Sequence, residues 1–304
     1  MPIRQFILSC LCSFFAINAF CSTIPTDITK TVVFIYKNAD AEPNHADGTG
    51  FLIGIPVPSK PENSWAYLVT AQHIVRTNPN DLNSPMLDRI FVRLNKRSGD
   101  SITVPVELRP SGPNQTVFLE SDASIDIAVI PFGIRSTEYD LLLLPENMLV
   151  TQDDFKSYNI GVGCDMFFTG MFAPYQGKKR NQPIVRFGKL AMIPDEKITF
   201  GGTQIDAYLV ETFSFGGNSG SPVFFYPSAD NTPGRLNLGQ QPIKIAGVMK
   251  GFFGDIEPIM LVQPTDLVPQ VVPVSQSNSG IAVVIPAAHI REILHSDALE
   301  RQRR

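Results

Sequence analysis

The chain has 304 residues, a net charge of −4 and a hydrophobic fraction of 43%. That is enough apolar material for one large β domain or two smaller lobes. A mildly acidic chain without a basic stripe lacks the footprint of a nucleic-acid binder, so no nucleic-acid partner is expected.

In chain order, the first element is an export signal. Arg4 precedes the apolar run FILSCLCSFFAINAF, and polar STIPTD follows. The run is short for a membrane span and no stop-transfer pattern follows it. Residues 1–22 therefore read as a signal peptide, cut near Cys21 or Ser22. The expected location is periplasmic or extracellular, with no membrane attachment after signal removal. Cys10, Cys12 and Cys21 fall in that segment, which leaves Cys164 with no disulfide partner, as a buried small hydrophobe. A disulfide-free exported chain fits a bacterial source.

Short β-type runs follow, separated by Gly, Pro, Asn and Asp clusters. Strands are predicted at residues 31–37, 49–55, 65–71, 90–95 and 127–132, then at 184–193, 206–212, 221–226, 243–251 and 280–286. This pattern argues for an all-β fold of antiparallel barrels or a sandwich. The segment 141–150, with Pro145 inside, joins two halves, a first lobe at 23–145 and a second at 146–304. One helix is predicted after Pro286, where Ile290, Ile293 and Leu294 share a face. Two polar insertions stand out, at 227–242 and at 254–279. The second carries Pro258, Pro264, Pro269 and Pro273, and a loop of that length is uncommon without a function of its own.

The chemistry centres on GGNSGSPVFF, residues 216–225. Ser219 stands among glycines directly before an apolar strand. Acyl transfer by a serine needs a base, a group to orient that base, and donors for the oxyanion. Of the four histidines, His73 lies in LVTAQHIV at a strand end, His45 in the polar loop EPNHADG, and His289 and His295 on the terminal helix, where they read as solvated. Asp126 enters an apolar run in ASIDIAVIPF, where a carboxylate is costly unless paired, and His73 is a fitting partner. Asp122 is the local competitor, in the more polar ESDAS. No HExxH or paired Cys/His spacing occurs, so neither a metal site nor a cofactor is expected.

VTAQHIV, DIAVI and GNSGSPVF, in that order, resemble the three signature segments of the chymotrypsin/trypsin-like serine peptidases. GTGFLIG resembles the strand before the histidine, and GIAVVIPAAHIREIL the last strand and helix of the bacterial members. The resemblance covers residues 31–299. It implies two antiparallel six-stranded β-barrels with a C-terminal helix, and a secreted endopeptidase acting on polypeptide substrates as a monomer. It assigns His73 as general base, Asp126 as its orienting acid, Ser219 as nucleophile, and the Gly217 and Ser219 amides as the oxyanion hole. Asn218 stands where zymogen enzymes carry the Asp that pairs with a new N-terminus, so no activation cleavage is expected. Ser221 stands where many members have Gly. By resemblance Phe213 lies at the base of the primary pocket, with Met249 and Lys250 on its wall. No PDZ-like domain is expected after the helix. An alternative is a silent or lid-regulated binding protein on the same fold, with the 254–279 segment as the lid. An α/β-hydrolase is opposed by the absent G-x-S-x-G spacing and by strands that do not alternate with helices.

Overall fold

The structure, a computed structural model, describes residues 24–39, 46–134, 137–226, 243–258 and 274–304. The expected signal peptide, His45 and the 227–242 insertion lie outside the described residues.

The first lobe holds β1 (Val32–Tyr36), β2 (Gly48–Val57), β3 (Lys60–Thr70), β4 (Arg89–Asn95), β5 (Ser101–Glu107), β6 (Phe118–Leu119), β7 (Ala128–Pro131) and β8 (Leu144–Pro145). They form one sheet in the order β5-β4-β1-β2-β3-β7-β6, and β8 runs parallel beside β2. The sheet curls into a half-barrel rather than closing, and it has eight strands instead of six. Central β2 is buried for its first eight residues. A strand covered on both faces has no solvent side, which is why it reads as a nearly continuous apolar run.

The second lobe holds β9 (Asp165–Gly170), β10 (Ile184–Met192), β11 (Ile198–Phe200), β12 (Thr203–Ile205), β13 (Tyr208–Glu211), β14 (Pro222–Phe225), β15 (Lys244–Pro258) and β16 (Val274–Pro286). Six of these close a barrel in the order β10-β13-β16-β15-β14-β9, while β11 and β12 pair as a separate hairpin. Phe167 on β9 and Phe224 on β14, both buried and paired across the ladder, stack at 4.8 Å. A closed six-stranded barrel beside a curled half-barrel, finished by C-terminal helices, is a chymotrypsin-like fold.

Two further expectations change. The 254–279 segment is not a simple loop: β15 and β16 continue their ladder from Gly254↔Asn278 to Pro258↔Val274. Residues 259–273, with Pro264, Pro269 and Pro273, lie outside the described residues. The single terminal helix is two, α2 (Ala287–Leu294) and α3 (Asp297–Arg303), because Ser296 takes an extended ψ of 146° between them. A short helix before β9, α1 (Gln152–Ser157), has no counterpart in the sequence reading; Thr151 and Asp154 close a capping box at its start. As expected, α2 buries Ile290, Ile293 and Leu294, and Cys164 is packed in the core at 3% exposure.

Candidate active site

β3 and β7 bring the first two residues together. Thr70 faces Ala128 across the ladder. The chain leaving β3 and the chain entering β7 therefore meet at one end of the sheet. His73 sits there on a 3₁₀ turn spanning Gln72–Val75, and Asp126 is fully buried opposite it. His73 Nδ1 lies 2.7 Å from Asp126 Oδ2, and the His73 backbone N–H donates to Oδ1 at 2.8 Å. Two bonds from one carboxylate fix both the backbone and the ring of the histidine. The competitor Asp122 is instead exposed and paired with Lys197 at 2.7 Å.

Ser219 sits in the turn before β14, and three kinds of contact shape that turn. Asn218 is 2% exposed; its Oδ1 accepts from Phe215 N–H at 2.9 Å and its Nδ2 donates to the Met171 carbonyl at 2.5 Å. A neutral amide thus ties the turn to its surroundings without an ion pair. Gly217 and Gly220 have φ of +90° and +84°, a region costly for residues with a Cβ. Thr49 reaches across from β2. Its N–H donates to the Ser219 carbonyl at 2.9 Å, and its Oγ1 donates to the Gly217 carbonyl at 2.9 Å while accepting from Met171 N–H at 3.1 Å. The sequence reading passed over Thr49, and the available signal was a polar residue between two glycines at the head of a buried strand.

The amides of Asn218, Gly220 and Ser221 are all bonded, yet among the described residues those of Gly217 and Ser219 find no protein acceptor. Unsatisfied N–H groups in a turn are what an oxyanion site requires. The Ser219 hydroxyl donates to the Lys250 carbonyl at 3.0 Å. Among the described residues it shares no hydrogen bond with His73.

Lys250 is the unexpected member. Its ammonium lies 2.8 Å from Asp126 Oδ2 with the side chain 12% exposed. Burial would push the Asp126 carboxyl up, but the charges and hydrogen bonds of His73 and Lys250 outweigh it and hold the group well below the usual carboxylate range. The sequence reading grouped Phe213, Met249 and Lys250 in one pocket, and the structure separates them. The Met249 side chain is fully buried in the core. Its backbone carbonyl and amide instead hold Gly220 N–H and the Ser221 carbonyl, at 2.8 and 2.9 Å. Lys250 opens on a cleft of about 320 Å³ that takes Asn80 and Ser124 from the first lobe and Phe200 and Thr203 from the second. Phe213 is 58% exposed and lines a different cleft, with Phe215 and Arg186.

Ser221 is fully buried, and its Oγ has no hydrogen-bond partner among the described residues. It occupies space left by Gly170, whose added Cβ would stand 2.1 Å from that oxygen. An unsatisfied buried hydroxyl is destabilising, so Ser221→Ala is expected to stabilise the fold by about 1 kcal/mol. Thermal melting checks this, and a lowered Tm would contradict it.

His289 and His295 are not merely solvated. His289 bonds Asp206 and Glu292 at 3.2 and 3.3 Å, and His295 pairs with Glu146. Glu120, His289 and Glu292 offer ligand atoms within 4.8 Å of one another. Both imidazole nitrogens are engaged with carboxylates, so the arrangement reads as an ion-paired histidine rather than a metal centre.

No protein-family model and no curated protein matches the chain. Solved structures do match. The MamO protease domain from Magnetospirillum magneticum, in its apo form, is similar at 16% identity, covering 89% of this chain and 99% of that one with a TM-score of 0.49. The inactive form of Rv3671c from M. tuberculosis, a serine-to-alanine mutant, is similar at 15% identity, covering 88% of this chain and 87% of that one with a TM-score of 0.42.

Proposed function

We propose that this chain is a secreted serine endopeptidase in which His73, Asp126 and Ser219 act as a triad and the Gly217 and Ser219 amides receive the oxyanion. The observation that carries this reading is the doubly bonded His73–Asp126 pair, placed beside a serine turn with two unspent amides. His73 Nε2 takes the Ser219 proton as Oγ attacks the scissile carbonyl, then returns it to the leaving amine. Asp126 stays ionised and holds the ring with its Nδ1 protonated. Water then repeats the sequence to free the acyl group. The polypeptide runs through the cleft between the lobes that Lys250 lines.

The Ser219 hydroxyl must leave the Lys250 carbonyl to meet His73. Catalytic hydrogen bonds are often incomplete before substrate binds. The Asn218 contacts hold the turn without a new N-terminus, so activity needs no activation cleavage. Removal of residues 1–22 as a signal peptide yields an exported, monomeric enzyme with no cofactor.

The same hydroxyl–carbonyl bond favours a second reading, a silent binding protein in which Ser219 stays turned away. A fluorophosphonate reagent separates the two without knowledge of the substrate. Protein beginning near Ser22 is expected to be labelled, and Ser219→Ala is expected not to be. A folded wild type that resists labelling would make the silent reading the right one.

A further inference from the structure

We propose that the aromatic cleft at Arg186 is a second binding site, which takes the carboxylate end of a peptide whose last side chain is apolar. The cleft encloses about 690 Å³ and is lined by Met171, Phe172, Arg186, Phe213, Phe215 and Asn218, among others. That volume lies within the range of sites for small ligands and chain ends. Ser219 and His73 do not line it, and neither does Lys250, which faces the cleft between the lobes. It shares no lining residue with the cleft that Lys250 lines, and Asn218 places one end of it beside the turn that carries Ser219.

Its walls are apolar and open. Phe213 and Phe215 stack at 6.5 Å with 13° between their planes, and they remain 58% and 46% exposed. Aromatic surface left uncovered next to a concavity marks a binding surface more than a core. Arg186 supplies the specificity. Its guanidinium lies 5.0 Å from the Phe215 ring centre and 5.9 Å from that of Phe172. Its Nε is buried with no hydrogen-bond partner among the described residues. No carboxylate of the described residues pairs with it. A planar fork of donors set against rings, without an anion, complements a carboxylate joined to an apolar group.

The commitment to a peptide end rests on the function proposed above. Each cleavage releases a chain with a new terminal carboxylate beside the enzyme. Occupancy also bears on the nucleophile, because Met171 forms part of the cleft and part of the serine turn. Its carbonyl accepts from Asn218 Nδ2, and a Cβ on Gly217 would stand 1.8 Å from its methyl group. The bound end thus packs on the support of Ser219, and the site acts as a sensor of product.

The test is calorimetric titration of the Ser219→Ala protein with acetyl-Ala-Ala-Phe and with its C-terminal amide. Binding there does not require a working triad, so failure of this proposal and failure of the proposed function are distinguishable. The acid is expected to bind at least about tenfold more tightly than the amide. Adding Arg186→Met is expected to erase that difference, and adding Phe213→Ala to weaken both ligands. Melting curves confirm that each variant is folded. Equal binding of acid and amide, or an acid affinity unchanged by Arg186→Met, overturns the proposal, as does no heat of binding at millimolar peptide. In the wild type, saturation with the acid is expected to change the fluorophosphonate labelling rate at least about twofold, and an unchanged rate overturns the link to the serine turn.

Discussion

Asp126→Asn is expected to destabilise the fold by about 3–5 kcal/mol and to slow labelling of Ser219 by about 10³–10⁴-fold. The stability loss comes from Lys250. Its ammonium is 12% exposed and lies 2.8 Å from the carboxylate, so an amide at that position leaves a nearly buried charge without compensation. The reactivity loss comes from His73. If the amide oxygen keeps the backbone bond that Oδ1 now accepts, its NH₂ faces His73 Nδ1. The ring must then accept there and carry its proton on Nε2, where it cannot take the serine proton. A double variant, Asp126→Asn with Lys250→Met, separates the two effects. It is expected to regain most of the lost stability, since neither charge is left alone, but none of the lost labelling. Equal instability in the single and double variants would show that Lys250 is not the source. The pH dependence has a fixed sign. The folded carboxyl lies below its ordinary value, so its contribution is complete above about pH 4 and is lost only as pH falls through the lower folded value. Denaturation should therefore show the full Asp126→Asn deficit at neutral pH and a smaller one at about pH 3.

The parts of the fold that were legible are those whose signal is local. β2, β15 and β16 have apolar runs bounded by turn residues, and each was found. β5 reads SITVPVE, and Pro105 in its middle argues against a strand. It forms one because it lies at the free edge of its sheet, where a missing N–H leaves no ladder bond unmade. β9, DMFFTG, is six residues long and sits close behind Gly163, so its burial comes from the barrel rather than from its own pattern. The extension of β15 and β16 beyond Gly254 was masked in the sequence by a Pro-rich composition. At the site, His73 and Asp126 could be paired because a carboxylate at the mouth of an apolar strand demands a partner. Lys250 could not be placed. It stands 124 residues from Asp126, and nothing in GVMKG tells which way its side chain turns. Thr49 escaped for the same reason, since its role is defined by the serine turn it touches across the lobes.

That contact makes Gly220 the most demanding position of the turn. A Cβ on Gly220 would lie 2.0 Å from the Thr49 carbonyl oxygen and 2.5 Å from Thr70 Oγ1. Neither can give way easily. The Thr49 carbonyl belongs to β2 and already accepts from Thr70 Oγ1 at 2.8 Å, and Gly220 N–H is tied to the Met249 carbonyl at 2.8 Å. Strain at φ +84° adds to the overpacking, and Gly220→Ala is expected to destabilise the fold by about 3 kcal/mol. Gly217 has a similar φ of +90°, but its obstacle is the Met171 methyl at 1.8 Å, the end of a flexible side chain. Gly217→Ala should therefore cost only the backbone strain, about 1–2 kcal/mol. Urea denaturation of the two variants checks the order, and a larger loss at Gly217 would mean that Met171 is held more rigidly than the Thr49 backbone. Labelling should follow the same order. Gly220→Ala pushes Thr49 away from the turn and strains its bond to the Ser219 carbonyl, whereas Gly217→Ala leaves that bond in place. Since Thr49 is anchored to β3 through Thr70, a fault at one glycine of the second lobe reaches the strand that ends beside His73.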